Sequence, residues 1–206
     1  MNDPDILKAT EPVAKAFEKL GVRYFIGGSI ASSAYGIARS TMDVDMVSDL
    51  ATRHVHDLVE ILESSYYIDE KMILDAIAGR SCFNIIHLDT MLKIDVFVSG
   101  NAAYDAEAFR RRRNDTLDEN HEDVKFYLAS PEDIILSKLV WYRLGGEVSD
   151  RQWTDLLGVM KVQKNCLDVR YLNRWASDQR VDDLLKKAFN DAGYDAASGS
   201  WTEFSE

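Results

Sequence analysis

The chain has 206 residues, 46% of them hydrophobic and 29% charged, ordinary globular proportions that predict a substantial core in one domain with an appended subdomain. A formal net charge of −11 excludes a protein that coats nucleic acid through a broadly basic face, though a local basic cleft stays open. Only three prolines and eleven glycines leave no long disordered linker, and no apolar run approaches the ~18 residues of a membrane span. Cys82 and Cys166 lack metal-type spacing and read as reduced thiols. "MNDPDILKAT" has no apolar stretch of the kind a secretory leader needs, so the expected setting is cytoplasmic, away from membranes.

Taken in order, Val13, Phe17 and Leu20 lie on one stripe of a first helix that stops at Gly21. "VRYFI" (Val22 to Ile26) reads as a buried strand broken by Gly27-Gly28. "SIASSAY" is helix-compatible, with Ser29 as its expected N-cap. "MDVDMV" (Met42 to Val47) alternates with the period of a strand, and Ala51 to Ser64 follows helical spacing. "SCFNIIHLD" and "MLKIDVFVS" predict a hairpin turning at Asp89-Thr90. A charged helix over Ala102 to Arg113 and a short strand over Val124 to Leu128 follow.

From Ser130 the pattern becomes helical. "SPEDIILSKLVWYRLGG" offers Ser130 as N-cap, Pro131 at the first helical position, acids in the first turn and a stop at Gly145. Three further helices read from "SDRQWTDLLGVMKVQ", "LDVRYLNRWASDQ" and "VDDLLKKAFNDA", and "GYDAASGSWTEFSE" reads as a loosely held tail. The expected organisation is a mixed α/β core over 1–128, a helical module over 129–193 and the tail over 194–206.

The chemistry concentrates in "GGSIASSAYGIARSTMDVDMV". Residues i and i+2 of a strand share a face, so Asp43 and Asp45 present two carboxylates together, which repel unless a cation lies between them. Hard oxygen ligands suit Mg²⁺ or Mn²⁺. Asp95 in "KIDVFV" supplies a third carboxylate, with Lys93 on its face; three such groups on one sheet could hold two ions for an in-line phosphoryl displacement. Gly27, Gly28 and Ser29 would let backbone N–H groups reach triphosphate oxygens at a helix N-terminus.

Each feature also has a plainer reading. Asp95 could simply pair with Lys93 or Arg39; Arg39 could bind phosphate or cap a turn; Thr41 could steady Asp43 or merely favour the strand. Arg110, Arg111, Arg112 and Arg113 form the one dense basic run, either a solvated helix end or a contact for an acceptor. Lys138 interrupts an apolar stripe with Ile134 and Trp141, so it is costly there unless it snorkels or meets an anion, a role a triphosphate would fill. Asp155 lies one turn after Arg151 and reads equally as an ion pair or a site residue. His54 and His56 point apart and read as surface residues, and His87 and His121 show no partners.

The order strand, Gly-Gly-Ser, short helix, Arg-x-Thr-x-Asp-x-Asp and later Lys-x-Asp resembles the DNA polymerase β-type nucleotidyltransferase superfamily. "SPEDIILSKLVWYRLGGEVSDRQWTDLLGVM" resembles its AbiEii/AbiGii toxin-like group of bacterial nucleotidyltransferases, the likeness covering about residues 10 to 190. The resemblance implies an α/β (α+β) nucleotidyltransferase fold, a mixed sheet flanked by helices and followed by a helical module. It implies transfer of a nucleotide from an NTP to an acceptor hydroxyl, with Mg²⁺ or Mn²⁺ as cofactor. Gly28 and Ser29 then fall on the phosphates, Asp43, Asp45 and Asp95 on the metal, and Lys138 and Asp155 on positioning nucleotide or acceptor. A toxin-type enzyme would modify RNA such as a tRNA end and have a cognate antitoxin as partner. An antibiotic-modifying enzyme would hold a cationic aminoglycoside in acidic surroundings, and a non-catalytic binding module is the rival of another class.

Overall fold

The computed structural model describes residues 4–41, 43–100, 102–117, 124–195 and 200–201. The chain divides into two compact units, one from residues up to Ile30 with Arg39–Ala129, the other from Ala31–Ala38 with Ser130 onward.

In the first unit, α1 (Pro4–Lys19) is followed by β1 (Tyr24–Ile26), and α2 (Gly28–Tyr35) starts almost directly after that strand. Gly21 takes φ +69° and the Val22 N–H donates to the Phe17 carbonyl at 2.9 Å, the closure the sequence predicts for the end of α1. After β2 (Asp43–Ser48) comes a 3-10 turn at Thr52–His54, then α3 (Val55–Leu62), β3 (Tyr66–Tyr67) and α4 (Glu70–Gly79). A hairpin of β4 (Cys82–His87) and β5 (Lys93–Val98) leads to α5 (Ala103–Arg111), β6 (Arg113–Asp115) and β7 (Phe126–Leu128). The seven strands form one mixed sheet in the order β3-β4-β5-β2-β1-β7-β6. β2 runs parallel to β5, and β1 runs antiparallel to β2 and parallel to β7.

Alternation gives this sheet two unlike faces. Val44 and Met46 of β2, Ile94 and Val96 of β5, and Phe83 and Ile85 of β4 are buried. Each such side chain contributes about 1.5–3 kcal/mol through removal from water. The intervening residues, Asp43, Asp45, Lys93, Asp95, Cys82 and Asn84, lie on the more open face. α1 packs on α3, α3 on α4, and α4 on β4 and β5; the Tyr66 hydroxyl ties β3 to α1 by donating to the Ala9 carbonyl at 2.8 Å.

Several local expectations are corrected. α2 begins at Gly28, so Ser29 lies inside its first turn and is not the N-cap. The predicted helix over Ala51 to Ser64 starts as a 3-10 turn, and the charged helix ends at Arg111, with Arg113 already in β6. Part of the tail is paired, Tyr194–Asp195 (β8) with Ser200–Trp201 (β9). Met42, His121 and residues 196–199 and 202–206 lie outside the described residues.

The second unit contains α6 (Pro131–Leu144), α7 (Asp150–Gln163), α8 (Val169–Asp178) and α9 (Asp182–Ala192). Ser130 caps α6 as expected, its hydroxyl accepting from the Asp133 N–H at 3.2 Å and donating to Asp133 Oδ2 at 2.6 Å. The Tyr171 hydroxyl of α8 completes this buried carboxylate by donating to Asp133 Oδ1 at 2.6 Å. Trp141 is 49% exposed while Ile134 and Lys138 are buried, so the three do not form the expected single stripe. Among the described residues, no helix is long and apolar enough to cross a membrane.

Candidate active site

The open face of the first unit's sheet assembles by strand register. Asp45 of β2 pairs with Asp95 of β5, and Asp95 pairs in turn with Asn84 of β4, so these three form one row across three strands. The neighbouring row holds Asp43, Lys93 and Ile86. The backbone thus brings all three expected carboxylates together with Lys93, within two rungs of the sheet.

The glycine turn is fastened to the same place. The Gly27 N–H donates to the Asp45 carbonyl at 2.8 Å, which extends the β1–β2 pairing and uses that amide within the sheet. Gly28 has φ +53°, and a Cβ built there would lie 1.8 Å from Asp45 Oδ2 and 2.6 Å from its Cγ. Glycine is therefore required twice over, by the left-handed backbone and by the carboxylate pressed against it. Behind this turn, the Arg39 guanidinium donates to the Ser29 hydroxyl and, through Nη1, to the Ser40 carbonyl at 3.1 Å. Thr41 Oγ1 donates to Asp43 Oδ1 at 2.5 Å, steadying the first carboxylate. Arg39 and Thr41 so link the start of α2 to the entry of β2.

Asp95 is held on both sides. Its Oδ1 accepts from the Asn84 amide at 2.9 Å, and its Oδ2 meets Lys93 Nζ at 2.6 Å. The plainer reading of Asp95, an ion pair, is realised with Lys93. The bond to Asp95 raises the Lys93 pKa above the ordinary lysine value, partial burial opposes it, and the charges of Asp95, Asp43 and Asp45 add to the rise. Cys82, on the same face, has its thiol pushed up to about 11, first by burial and then by the Asp95 and Asp45 charges.

The three carboxylates of this face offer oxygen donors that suit a hard divalent cation. Among the described residues, however, no three His, Cys, Asp or Glu side chains already converge on one point. Asp95 is turned to Lys93 and Asn84, and Asp43 to Thr41.

The remaining expected residues belong to other elements. In the second unit Lys138 Nζ bonds Asp155 Oδ2 at 2.9 Å and Gln152 Oε1 at 3.1 Å, both charged side chains being buried. The anion Lys138 needs is thus supplied from α7, and Asp155 meets Lys138 in place of the expected Arg151. The arginine run is split between elements. Arg110 is bonded twice to Glu107, at 2.5 and 2.9 Å; Arg112 stacks 4.1 Å over the Tyr127 ring and donates to the Tyr24 carbonyl at 3.4 Å. Arg111 ends α5 and Arg113 opens β6, the outer strand, with β7 and β1 between it and β2. His87 is buried and its Nδ1 bonds the Thr90 hydroxyl at 2.9 Å, while His54 Nδ1 accepts from the Ala51 N–H at 3.2 Å. A cleft of about 420 Å³ opens past the ends of β2 and β5, lined by Arg23, Asp49, Arg53, Ser99 and Phe109 among others, and no expected site residue lines it.

Residues 22–206 match a family described as "Nucleotidyltransferase of unknown function (DUF6036)". The chain belongs to this nucleotidyltransferase family. Solved structures share its fold at low identity. The antibiotic-resistance factor ANT(2'')-Ia is 16% identical with a TM-score of 0.53, over 92% of this chain and 100% of that one. An antigenic nucleotidyltransferase-like protein from Paracoccidioides brasiliensis is 18% identical, TM-score 0.52, over 95% and 97%. The lincosamide antibiotic adenylyltransferase LnuA, bound to lincomycin, is 15% identical, TM-score 0.50, over 79% and 98%. No curated protein matches the chain. The fold class read from the sequence, a mixed sheet with helices, is the one observed in this nucleotidyltransferase.

One member of the open face went unread in the sequence. Asn84 touches Asp95 directly, and a signal for it existed, because a hairpin turning at Asp89-Thr90 places Asn84 symmetrically opposite Asp95.

Proposed function

We propose that this nucleotidyltransferase moves a nucleoside monophosphate from an NTP to an acceptor hydroxyl at the open face of β2 and β5, in a reaction dependent on Mg²⁺ or Mn²⁺. The acceptor oxygen bonds to the α-phosphorus, the bond from that phosphorus to the β-phosphate bridge breaks, and pyrophosphate leaves. The observation that carries the reading is the contact of Gly28 with Asp45, a substituent-free turn at a helix start set directly against a carboxylate pair. That juxtaposition suits a group that is both polyanionic and metal-bound, as an NTP is.

Asp43, Asp45 and Asp95 are the residues that would hold one or two ions. When bound, such ions neutralise charge on the reacting phosphate and the leaving pyrophosphate. The backbone donors for the triphosphate begin at Gly28, since the Gly27 N–H is spent in the sheet. Ser29, oriented by Arg39, adds a side-chain contact, and Thr41 keeps Asp43 aimed. Asp95 is the carboxylate we assign to take the proton of the attacking hydroxyl. Lys138 and Asp155 neutralise one another in the interior, and we assign them to joining α6 and α7. Three carboxylates gathered on one open face beside the Gly28 turn favour a catalytic protein over a non-catalytic module.

For the acceptor, the split of the arginine run between α5 and β6 and the engagement of Arg112 by Tyr127 and Tyr24 argue against a polyanion held by the run as one patch. We favour a cationic small molecule bearing a hydroxyl, consistent with the net charge of −11. The second reading, RNA modification by a toxin with an antitoxin partner, rests on the resemblance to the AbiEii/AbiGii group and on Arg113, which remains exposed. Purified protein with Mg²⁺ and each α-labelled NTP in turn, offered RNA, protein and an aminoglycoside, tests both. Label in the small molecule supports the first reading and label in RNA the second. Absence of Mg²⁺-dependent NTP binding, with Asp43→Ala leaving every nucleotide-dependent activity unchanged, overturns the function.

A further inference from the structure

We propose that Lys93 is an internal counter-cation that occupies the metal side of Asp95, with Asn84 fixing the other oxygen, so that a divalent ion enters only by displacing the Lys93 ammonium. This rests on the reading of the open face as a metal-dependent site and adds to it a positioning pair, Asn84 and Lys93, that neither the fold nor the family description assigns.

The geometry divides the work between the two oxygens of one carboxylate. Asn84 donates to Oδ1 at 2.9 Å and Lys93 to Oδ2 at 2.6 Å, Asn84 lying in β4 and both Lys93 and Asp95 in the adjacent β5. Lys93 also stands directly opposite Asp43 in the β2–β5 register, two positions along from the Asp45–Asp95 pair and on the same face. One ammonium is thereby set among three carboxylates, where it offsets their repulsion in the absence of a metal. Its side chain is 45% exposed, so it has room to swing away, whereas that of Asp95 is 14% exposed and fixed by Asn84. A triphosphate arriving with its metal offers the displaced ammonium charged oxygens at least as strong as a carboxylate. Metal and nucleotide would then strengthen each other's binding through a residue that changes partner between them.

The test uses Mn²⁺ alone as probe, with no nucleotide, titrated into the full chain and followed by loss of the free-ion paramagnetic resonance signal. Lys93→Met is expected to bind Mn²⁺ about tenfold more tightly than wild type, because a competing unit charge has been removed a few ångströms from the site. Lys93→Arg keeps the charge and is expected to restore the weak wild-type binding, an outcome that a purely structural role for Lys93 would not give. Asn84→Ala, which frees Asp95 to turn, is expected to weaken Mn²⁺ binding severalfold in the Lys93→Met background. Unchanged or weaker binding in Lys93→Met, or equal gains in the Met and Arg variants, would overturn the proposal. Asp45→Asn separates this from failure of the underlying reading: if it leaves Mn²⁺ binding intact, the metal site itself is misplaced.

Discussion

Two of the lysine–aspartate pairs among the described residues have nearly equal length and opposite surroundings. Lys138 and Asp155, 2.9 Å apart in the second unit, have side chains only 5% and 8% exposed; Lys93 and Asp95, 2.6 Å apart on the sheet of the first, are 45% and 14% exposed. In the interior neither partner can leave without stranding a charge away from water, so the pair acts as a fixed joint between helices. On the open face the lysine can be exchanged for another cation at little cost, because solvent takes up much of what is lost. Separation alone therefore does not mark a functional pair. Our proposal takes the buried helical pair as structure and the more open strand pair as chemistry.

The largest effect expected from breaking this contrast is at the buried pair. Asp155→Ala leaves the Lys138 ammonium unpaired and should lower stability by about 3–5 kcal/mol, whereas Lys138→Met with Asp155→Leu should recover most of that loss. Thermal and urea unfolding of the three proteins checks it; equal losses in the single and double variants would show that the pair is not a unit. Next in size is Gly28→Ala, which forces a side chain into a φ of +53° and into Asp45. It should cost about 1–2 kcal/mol of stability and displace the Asp45 carboxylate, so NTP binding falls further than the melting temperature implies. Lys93→Ala should change stability by less than about 0.5 kcal/mol, since the pair it breaks is exposed; a loss as large as that of Asp155→Ala would erase the distinction.

The smallest expected effect reports on the charge of the open face. The Cys82 thiol, held up near 11 mainly by burial and then by Asp95 and Asp45, should alkylate far more slowly at pH 8 than the exposed Cys166. A raised thiol pKa means less thiolate at any given pH, so removing a neighbouring negative charge must increase reactivity. Asp45→Asn should accordingly speed Cys82 alkylation modestly without altering Cys166, as read by mass spectrometry of the two peptides.

Much of the first unit was readable because its signals are local. The alternation of Asp43, Val44, Asp45 and Met46 gives β2 and its two faces, and the turn at Asp89-Thr90 gives the β4–β5 hairpin. Ser130, Pro131 and Gly145 bracket α6 because capping chemistry lies in adjacent residues. The partner of Lys138 was not readable, since Asp155 meets it only through the packing of α6 on α7, which no spacing within one helix encodes. α4 and β3 were missed because two residues are too short for a strand pattern, and the helix after Asp69 interleaves apolar and charged residues. The state of the carboxylates was hidden for a related reason. Sequence places Asp43, Asp45 and Asp95 on one face and offers Lys93 or Arg39 as a partner for Asp95, but it does not choose Lys93 between them or say that Asn84 holds the other oxygen.

The central claim is that the open face of β2 and β5, with the turn at Gly28, binds a metal–nucleotide complex. Calorimetric titration of each NTP in Mg²⁺ and in excess chelator, into wild type and Asp45→Asn, tests it most directly. The account predicts binding of at least one NTP that is lost with the chelator and weakened at least about tenfold in Asp45→Asn, with the melting temperature unchanged. Binding of equal strength in wild type and Asp45→Asn, or equal binding with and without Mg²⁺, would contradict it.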